Sequence, residues 1–436
     1  MERSGALSVY IRDAGPRSSW IFNLIFEELL GIRISITSDP AEFRRVQGPK
    51  FNYSEEHFTD IPAIVPYGLL SEQGLQQQDI RISDYRGLPV FFRNTEGDLP
   101  FDMFSMAFFL VSRYEEYLPY EPDQHGRFPH SKSLAYQQGF LDSALVNRLA
   151  LLLGDLLKEH FTELRLRPPG YRFIPTFDVD IAFAHLGKGF TRSCGAMLRL
   201  LLKGKMNEIR SRLQTMLGRA NDPYDNFNLI IHECRKYDLD PVFFILAGDR
   251  GPHDNNLSLN NRRFSALVKM LSQHGDIGVH PSYRSGEEDF RTGMEMARIA
   301  DVTGKKISSS RQHFVRIRFP DTYNNLIKYG IRHDYSMGYA GTSGFRASIA
   351  SPFYFYDLIR EKATDLRIVP FMFMDTALSD YLGLWPDAYY DAVKPLIDEV
   401  KYCGGQLTAI WHNYAMASDK EKHEAFKIIL KSAAAK

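Results

Sequence analysis

Cysteine is scarce in this sequence: Cys194, Cys234 and Cys403 stand far apart in 436 residues. An odd number of distant thiols without a CxxC spacing argues against a disulfide framework and against a zinc ribbon. An excess of one charge is also missing, because 53 lysines and arginines balance 53 aspartates and glutamates. Neither this balance nor any recognisable motif indicates a nucleic-acid partner.

Long hydrophobic runs are missing as well. The longest uncharged apolar stretch, MFSMAFFLVS at 103–112, is well short of the ~20 residues that a membrane-spanning helix needs. The first residues, MERSGALSVYIRDAGPRSSW, lack the basic, apolar and small-residue regions of a secretory signal. We therefore expect a cytoplasmic protein with reduced thiols and no membrane span.

The composition is that of a folded protein, with 44% apolar and 24% charged residues. A chain of this length exceeds what one hydrophobic core usually supports, so two domains are expected. The segment LRLRPPG at 164–170 places two prolines and a glycine after a long helical pattern. We place the boundary there and predict an N-terminal domain, 1–167, of unknown role and a second domain, 168–436.

The N-terminal part is predicted to be a smaller mixed α/β domain. WIFNLIFEELLG and FDMFSMAFFLVSRYEEYL have apolar residues at helical spacing, whereas IRISIT and LPVFF are short strand candidates. One segment, SRYEEYLPYEPDQHGRF at 112–128, is dense in charges and aromatic rings. It is either a polar face packed against the second domain or a surface that contacts substrate.

Beyond the boundary, seven strand-like segments alternate with helical ones, which predicts an α/β fold with a parallel sheet or barrel. The segments are YRFIPTFDV, PVFFILA, DIGVH, RQHFVRI, GIRHDYS, RIVPFMFMD and QLTAIWH. Most carry polar, reactive residues at or near their ends: Asp178 and Asp180, His280, His313 with Arg316, Asp375, and His412 with Asn413. Because the carboxyl ends of parallel strands meet at one edge, a site assembled there is expected.

Two carboxylates end the first of these segments. Asp178 and Asp180 are two residues apart, so they share one face of a strand. Like charges at this spacing destabilise each other unless a cation or a proton intervenes. A divalent metal bound by one carboxylate would relieve this repulsion and leave the other carboxylate as a base. The alternative is that the pair caps the following helix.

Five motifs occur in a characteristic order between residue 171 and about residue 415. They are TFDVD, DIGVHPSYRS, an arginine-containing strand, a strand ending in MD, and LTAIWHN. This order resembles the polysaccharide deacetylase family, also called the NodB-homology group or carbohydrate esterase family 4. The resemblance implies a distorted (β/α)7 barrel that removes N-acetyl or O-acetyl groups from sugars with a divalent metal, usually zinc.

The resemblance also implies roles for individual residues. They are Asp178 as the base, Asp180 as a metal ligand, Arg316 as the arginine holding the base carboxylate with Arg346 as a second candidate, Asp375 as the residue tuning a histidine, and His412 as the general acid. Core burial of His412 and helix capping by Asp375 are the alternatives. In the second motif the family has two metal-binding histidines four residues apart, whereas this sequence has His280 and Arg284.

The missing histidine leaves one ligand to be found. A guanidinium has no lone pair to give, and catalytic zinc usually has three protein ligands and a water. His313 is the best substitute, because it lies on the strand after the one that ends in His280. His185 is the second choice, and His412 would have to give up its acid role. We predict a site of Asp180, His280 and His313; otherwise His313 is a wall residue and the metal is weak or absent.

A basic insertion follows the first barrel strand, at 188–219. Its cations are Lys188, Arg192, Arg199, Lys203, Lys205, Arg210, Arg212 and Arg219, and Glu208 is its only acid. An amphipathic basic helix can lie on an anionic membrane, here the inner face of the cytoplasmic membrane, or hold an anionic ligand. A solvated helical insertion is the other interpretation.

Three functions are compatible with these patterns. The first is a metal-dependent hydrolase that deacetylates a sugar or glycan, as in cell-envelope polysaccharide metabolism. The second is a catalytically inactive barrel that binds a glycan, and the third is a hydrolase of a non-sugar amide. Metal content separates the first two, and acetate release from sugars compared with other acetamides separates the first and third.

Overall fold

The structure is a computed structural model that describes residues 6–435, apart from the side chains of residues 190–192. Its strands are β1 Leu7–Ile11, β2 Ile34–Thr37, β3 Lys50–Tyr53, β4 Ser83–Tyr85, β5 Leu88–Val90, β6 Arg172–Val179, β7 Val242–Ile245, β8 Asp276–Val279, β9 Ser309–Ser310, β10 His333–Asp334, β11 Phe353–Asp357, β12 Lys362–Ile368, β13 Phe373–Met374 and β14 Gln406–His412.

The helices occupy most of the chain between the strands. They are α1 Pro16–Phe22, α2 Pro40–Arg45, α3 Met103–Val111, α4 Leu134–Gln137, α5 Leu145–His160, α6 Phe190–Leu202, α7 Met206–Met216, α8 Phe227–Lys236, α9 Arg262–Leu271, α10 Phe290–Thr303, α11 Asp321–Lys328, α12 Tyr389–Cys403, α13 Asn413–Met416 and α14 Lys420–Ala434.

The N-terminal part contains a small parallel sheet of order β2-β1-β3. The predicted strands IRISIT and LPVFF are confirmed as β2 and β5. Helix α3 is apolar except for Ser105, and every residue in it is buried. Its N-terminus is capped by Asp102, whose carboxylate accepts from the backbone N–H groups of Phe104 and Ser105, both at 3.0 Å.

A larger, mostly parallel sheet follows, with the order β11-β12-β10-β9-β8-β7-β6-β14-β13. Strands β6 to β10 are parallel neighbours in chain order, and β14 pairs parallel with β6 on its other side. The mixed α/β architecture with a smaller first unit is therefore as predicted. All carboxyl ends of these strands face the same rim.

One continuous stretch closes this sheet. Strand β12 pairs with β10, and β13, a few residues later, pairs with β14. Between them, the N–H of Val369 donates to the carbonyl of Asp334 at 2.8 Å, and that of Met372 to Thr408 at 3.0 Å. Together with β6 to β10 and β14, this closing stretch makes a distorted barrel of seven strand positions.

Two elements differ from the sequence-based expectation. RQHFVRI was predicted to be a strand, which is wrong: β9 ends at Ser310, and a 3-10 turn, His313–Val315, follows. Phe314 and Val315 have left-handed φ values of 60° and 55° there, which a continuous strand cannot accommodate. The antiparallel hairpin of β11 and β12 was not predicted.

The apolar core runs without a break between the N-terminal part and the barrel. A buried ion network also crosses between them, because Glu116 accepts from Arg113 at 2.8 Å and from Nε of Arg346 at 2.9 Å. The charged segment 112–128 thus packs a polar face against the barrel, which favours the first of its two interpretations. The boundary at 167/168 stays a prediction.

The basic insertion forms the helices α6 and α7. The side chain of Arg192, one of its predicted cations, lies outside the described residues. No helix in the described part of the chain is both long enough and apolar enough to cross a bilayer. The three cysteines are free thiols.

Candidate active site

Strand β6 delivers both carboxylates to the rim of the barrel. It lies between β7 and β14, and the register places Asp178 beside Phe244 on one side and His412 on the other. Asp180 is the second residue beyond Asp178 on the same face. Both side chains are buried, with 3% and 7% of their surface exposed, so their charges are not compensated by bulk water.

Asp180 lies against two histidines. Its Oδ1 is 3.1 Å from Nε2 of His280, and its Oδ2 is 3.7 Å from Nε2 of His313. One ligand atom from each of these residues lies within 4.8 Å of the others. The structure thus brings together the three residues that the sequence analysis selected, including the substitute histidine.

The hydrogen bonds of the two histidines fit them for metal binding. Nδ1 of His280 donates to the carbonyl of Arg311 at 2.5 Å, and Nδ1 of His313 donates to Oδ1 of Asp254 at 2.9 Å. Because these partners only accept, each ring in its neutral form has its lone pair on Nε2, which faces Asp180. Oδ1 of Asp180 is buried and receives no hydrogen bond from a described residue.

The electrostatics keep this carboxylate charged. Burial by itself would raise the pKa of Asp180, but the charges of His280, His313 and His412 hold it below its usual range. Once the two histidines lose their Nε2 protons on binding a metal, the ionised carboxylate and two imidazole lone pairs form a donor set suited to a divalent cation such as zinc.

His412 lies beside the group and is fixed by Asp375. Its Nδ1 donates to Oδ1 of Asp375 at 2.7 Å, and its backbone N–H donates to Oδ2 at 2.6 Å. Burial would lower the pKa of His412, but Asp375, Asp180 and Asp178 raise it to about 9. Its Nε2 is 3.9 Å from Oδ2 of Asp178, so a protonated imidazolium faces the base candidate.

The arginine on Asp178 is Arg311, which corrects the assignments to Arg316 and Arg346. Nη1 of Arg311 donates to Oδ1 of Asp178 at 3.0 Å and to the hydroxyl of Thr176 at 2.6 Å. Arg316 instead donates to the carbonyls of Tyr283 and His125, and Arg346 pairs with Glu116. The physical reason is that β9 ends at Ser310, so residue 311 occupies the rim whereas residue 316 lies beyond the turn.

The remaining candidate residues lie outside the group of Asp180, His280 and His313. Arg284 is half-exposed and pairs with Glu288 at 3.1 Å, and His185 lines a cavity under the insertion. Nδ2 of Asn413 donates to the carbonyls of Ile181 and Tyr224 at 3.0 and 2.9 Å. Asn413 thus fixes the loop that begins directly after Asp180.

Asp254 is a site residue that the sequence analysis missed. It is fully buried, and besides His313 it accepts from the backbone N–H of Tyr283 at 2.9 Å. Burial would raise the pKa of Asp254, but these two hydrogen bonds lower it. It lies in the loop after β7, the one early barrel strand with no polar residue at its end. A scan further along that loop would have found it.

Comparisons with known proteins give one family match and a likeness of fold. A family model described as a family of unknown function (DUF7033) matches residues 7–162. No curated protein sequence matches the chain.

The fold resembles solved structures at low identity. A candidate polysaccharide deacetylase from Mycobacterium smegmatis is 13% identical, with a TM-score of 0.41, over 62% of this chain and 86% of that one. A family 4 carbohydrate esterase from Streptomyces lividans, in complex with acetate, is 11% identical, with a TM-score of 0.29, over 60% and 87%. A pseudoenzyme of the same esterase family from Bacillus anthracis is 10% identical, with a TM-score of 0.26, over 49% and 57%. At these identities the likeness concerns the fold alone.

Proposed function

We propose that this protein is a metal-dependent hydrolase that removes N-acetyl or O-acetyl groups from a sugar or glycan. One observation carries the proposal: the buried group of Asp180, His280 and His313, whose ring lone pairs converge beside a second carboxylate and a cationic histidine. Buried polar atoms normally have hydrogen-bond partners, and Oδ1 of Asp180, which has none among the described residues, would gain one as a metal ligand.

Asp180, His280 and His313 would hold the metal, and three protein ligands leave positions open for water and substrate. A divalent ion, with zinc expected, supplies activation of water and polarisation of the acyl oxygen. The Nδ1 hydrogen bonds of the two histidines keep their rings in the ligating orientation.

Asp178 is placed to accept the proton of the attacking water. Its Oδ1 is held by Arg311, whereas its Oδ2 faces the site, 3.7 Å from Nε2 of His280. The guanidinium is fully buried and stays charged, so it fixes one oxygen of the carboxylate and leaves the other free to act as a general base.

His412 is placed to protonate the leaving group. When water adds to the acyl carbon and the C–N bond breaks, the nitrogen departs as an amine only if it receives a proton. With a pKa raised to about 9 by Asp375 and the other carboxylates against the effect of burial, His412 carries that proton at neutral pH. The products are acetate and the free amino sugar.

The test compares Asp178→Asn with Asp180→Asn in the full chain. We expect Asp180→Asn to lose bound metal and turnover, and Asp178→Asn to keep the metal while acetate release falls by a factor on the order of 10² or more. Metal content is measured by elemental analysis, and acetate release is measured from N-acetylated oligosaccharides and from simple acetamides. A wild-type protein that binds no metal, or that hydrolyses only the acetamides, would contradict the proposal.

A further inference from the structure

A cavity of about 830 Å³ lies between the helical insertion and the rim of the barrel. Its wall includes Ile181, which follows Asp180 directly, and Tyr224. The carbonyl of Tyr224 accepts from Nδ2 of Asn413, the residue after His412, at 2.9 Å. The cavity therefore adjoins the candidate active site and shares its loops.

The cavity is lined by cations from separate segments: Lys188, Arg199, Arg212 and Arg250. The one carboxylate in its wall, Glu208, pairs with Lys205 at 2.6 Å. Across the residues that the structure describes, no ion pair forms at Arg199, Arg212 or Arg250. The guanidinium groups of Arg199, Arg212 and Arg250 thus line one space whose only carboxylate among the described wall residues, Glu208, already pairs with Lys205.

Arg212, on α7, is the most informative of these residues. Only 6% of its surface is exposed, and its Nε is buried without a hydrogen-bond partner among the described residues. A guanidinium stays protonated, and a buried charge without a partner is costly. Burial lowers the pKa of the nearby His185; among the neighbouring charges Asp222 raises it, whereas Arg212 and Lys188 lower it.

We propose that the cavity binds an anionic group of the substrate, a phosphate or a carboxylate, and thereby selects an acidic sugar for the adjoining site. Bidentate guanidinium contacts suit both groups. The identity of the substrate class rests on the proposed function, whereas anion binding by the cavity does not. The insertion is then the part of the chain that distinguishes charged from neutral sugars.

Calorimetric titration of the chelator-treated full chain with inorganic phosphate and with glucuronate tests anion binding without any hydrolysis. Arg212→Met and Arg250→Met should each weaken binding at least about tenfold, as expected when one charge-assisted contact is lost. Arg210→Met, exposed on the same helix, is the control and should bind like wild type. Equal affinity in wild type, R212M and R250M would overturn the proposal, and the phosphate and glucuronate arms tell which anion is preferred.

Turnover gives the second measurement. For N-acetylglucosamine 6-phosphate or N-acetylmuramic acid, R212M should raise KM at least about tenfold with little change in kcat, and it should leave KM for neutral N-acetylglucosamine unchanged. An equal rise for the neutral sugar would overturn the selectivity. If no sugar is hydrolysed but anion binding still depends on Arg212, the proposed function fails and the anion site stands.

A different observation concerns the outer face of the same insertion. Large apolar side chains are clustered and exposed there: Leu198, Leu201, Leu202, Met206, Leu213, Met216 and Leu217. Leu198, Leu201 and Leu202 share one face of α6 because of their spacing, and Leu202 is 81% exposed. Exposed cations surround them, namely Lys203, Lys205, Arg210 and Arg219.

From this combination we infer that the outer face of α6 and α7 lies on an anionic lipid surface. Leucine side chains can enter the interface while lysine and arginine contact the head groups. The occupant is a membrane because the cations are complementary to anionic lipid.

Sedimentation with phosphatidylglycerol vesicles tests this contact. Wild type should co-sediment at low salt and be released as salt rises, because exposed charges are screened over roughly 10 Å at 0.1 M. Leu201→Glu with Leu202→Glu should lose binding, whereas Trp385→Glu, at a residue 77% exposed elsewhere, should keep it. Equal binding to neutral vesicles, or retained binding by the double variant, would overturn the inference.

Discussion

Nη1 of Arg127, in the N-terminal part, donates to the carbonyl of Phe314 in the barrel at 2.8 Å. Phe314 directly follows the ligand candidate His313, and both Phe314 and Val315 have left-handed φ values. Such conformations cost bulky residues roughly 1–3 kcal/mol each and need support from their surroundings. The N-terminal part thus holds the turn that points His313 at Asp180.

Arg127→Met should therefore weaken metal binding about tenfold, because the turn carrying His313 loses its restraint. The measurement is a titration of the metal-free protein with zinc, against a competing chelator. Arg81→Met is the matched control, since the Arg81 side chain is 86% exposed and pairs with the exposed Asp79. Unchanged zinc affinity in R127M would show that the turn holds its shape without the N-terminal contact.

Asp254→Asn should lower metal affinity by roughly 10- to 100-fold, as losses of partners to ligating histidines do. The substitution keeps the shape but removes the charge that fixes Nδ1–H of His313. Asp249→Asn, in the same loop but paired with Arg291 and Arg298, serves as the control and should bind metal normally. If both variants match wild type, Asp254 does not orient the ligand.

The two arginine assignments make opposite predictions. Arg311→Lys should reduce turnover on the order of 100-fold, because lysine cannot reproduce the fork that reaches Asp178, Thr176 and the carbonyl of Tyr335. Arg316→Lys should retain most turnover. Kinetics on a single acetylated substrate decide between them, and a larger loss in R316K would restore the original assignment.

The burial of Glu295, on α10, leads us to expect a pH dependence of stability. It accepts from the N–H and hydroxyl of Ser282 at 2.9 and 2.6 Å. Burial raises the pKa of Glu295 from 4.5 to about 7, against the effect of Ser282. The folded state therefore binds its proton more tightly than the unfolded state does, so stability is lost as pH rises from about 4.5 to 7.

Denaturant unfolding between pH 4.5 and 8 checks this sign. The free energy of unfolding of wild type should fall relative to that of Glu295→Gln up to about pH 7 and run parallel above it. Glu55→Gln, at an exposed position, should follow wild type throughout. Parallel curves for wild type and E295Q over the whole range would contradict the raised pKa.

The strand ends were predictable because their signal is local. Asp178 and Asp180 follow an apolar run on β6, and the parallel order of the strands then places His280 and His412 at the same rim. His313 was selected for its place on the next segment, although that segment is a turn and not a strand. The prediction selected the residue that lies beside Asp180 although it assigned that residue to a strand. The selection depended only on the segment's place after β8 in the chain.

The arginine on Asp178 could not be chosen from the sequence. Arg311 and Arg316 occupy the same short segment, and the choice depends on where β9 ends and on two left-handed residues. Neither Phe314 nor Val315 has an intrinsic preference for that conformation. Contacts with a distant segment, such as the bond from Arg127, stabilise it, and a pattern of local residues contains no information about them.

The stretch that closes the barrel also carries the hairpin of β11 and β12, to which the N-terminal part is attached. Nε of Arg17 donates to Glu361 at 3.0 Å, and Nε1 of Trp20 donates to the carbonyl of Tyr354 at 2.9 Å. The first 20 residues of the described chain therefore stabilise the closing stretch of the barrel from its outer side. Such coupling makes unfolding cooperative across both parts, so both should unfold in one thermal transition. Cleavage of the chain between the two parts should open the barrel at its closing stretch.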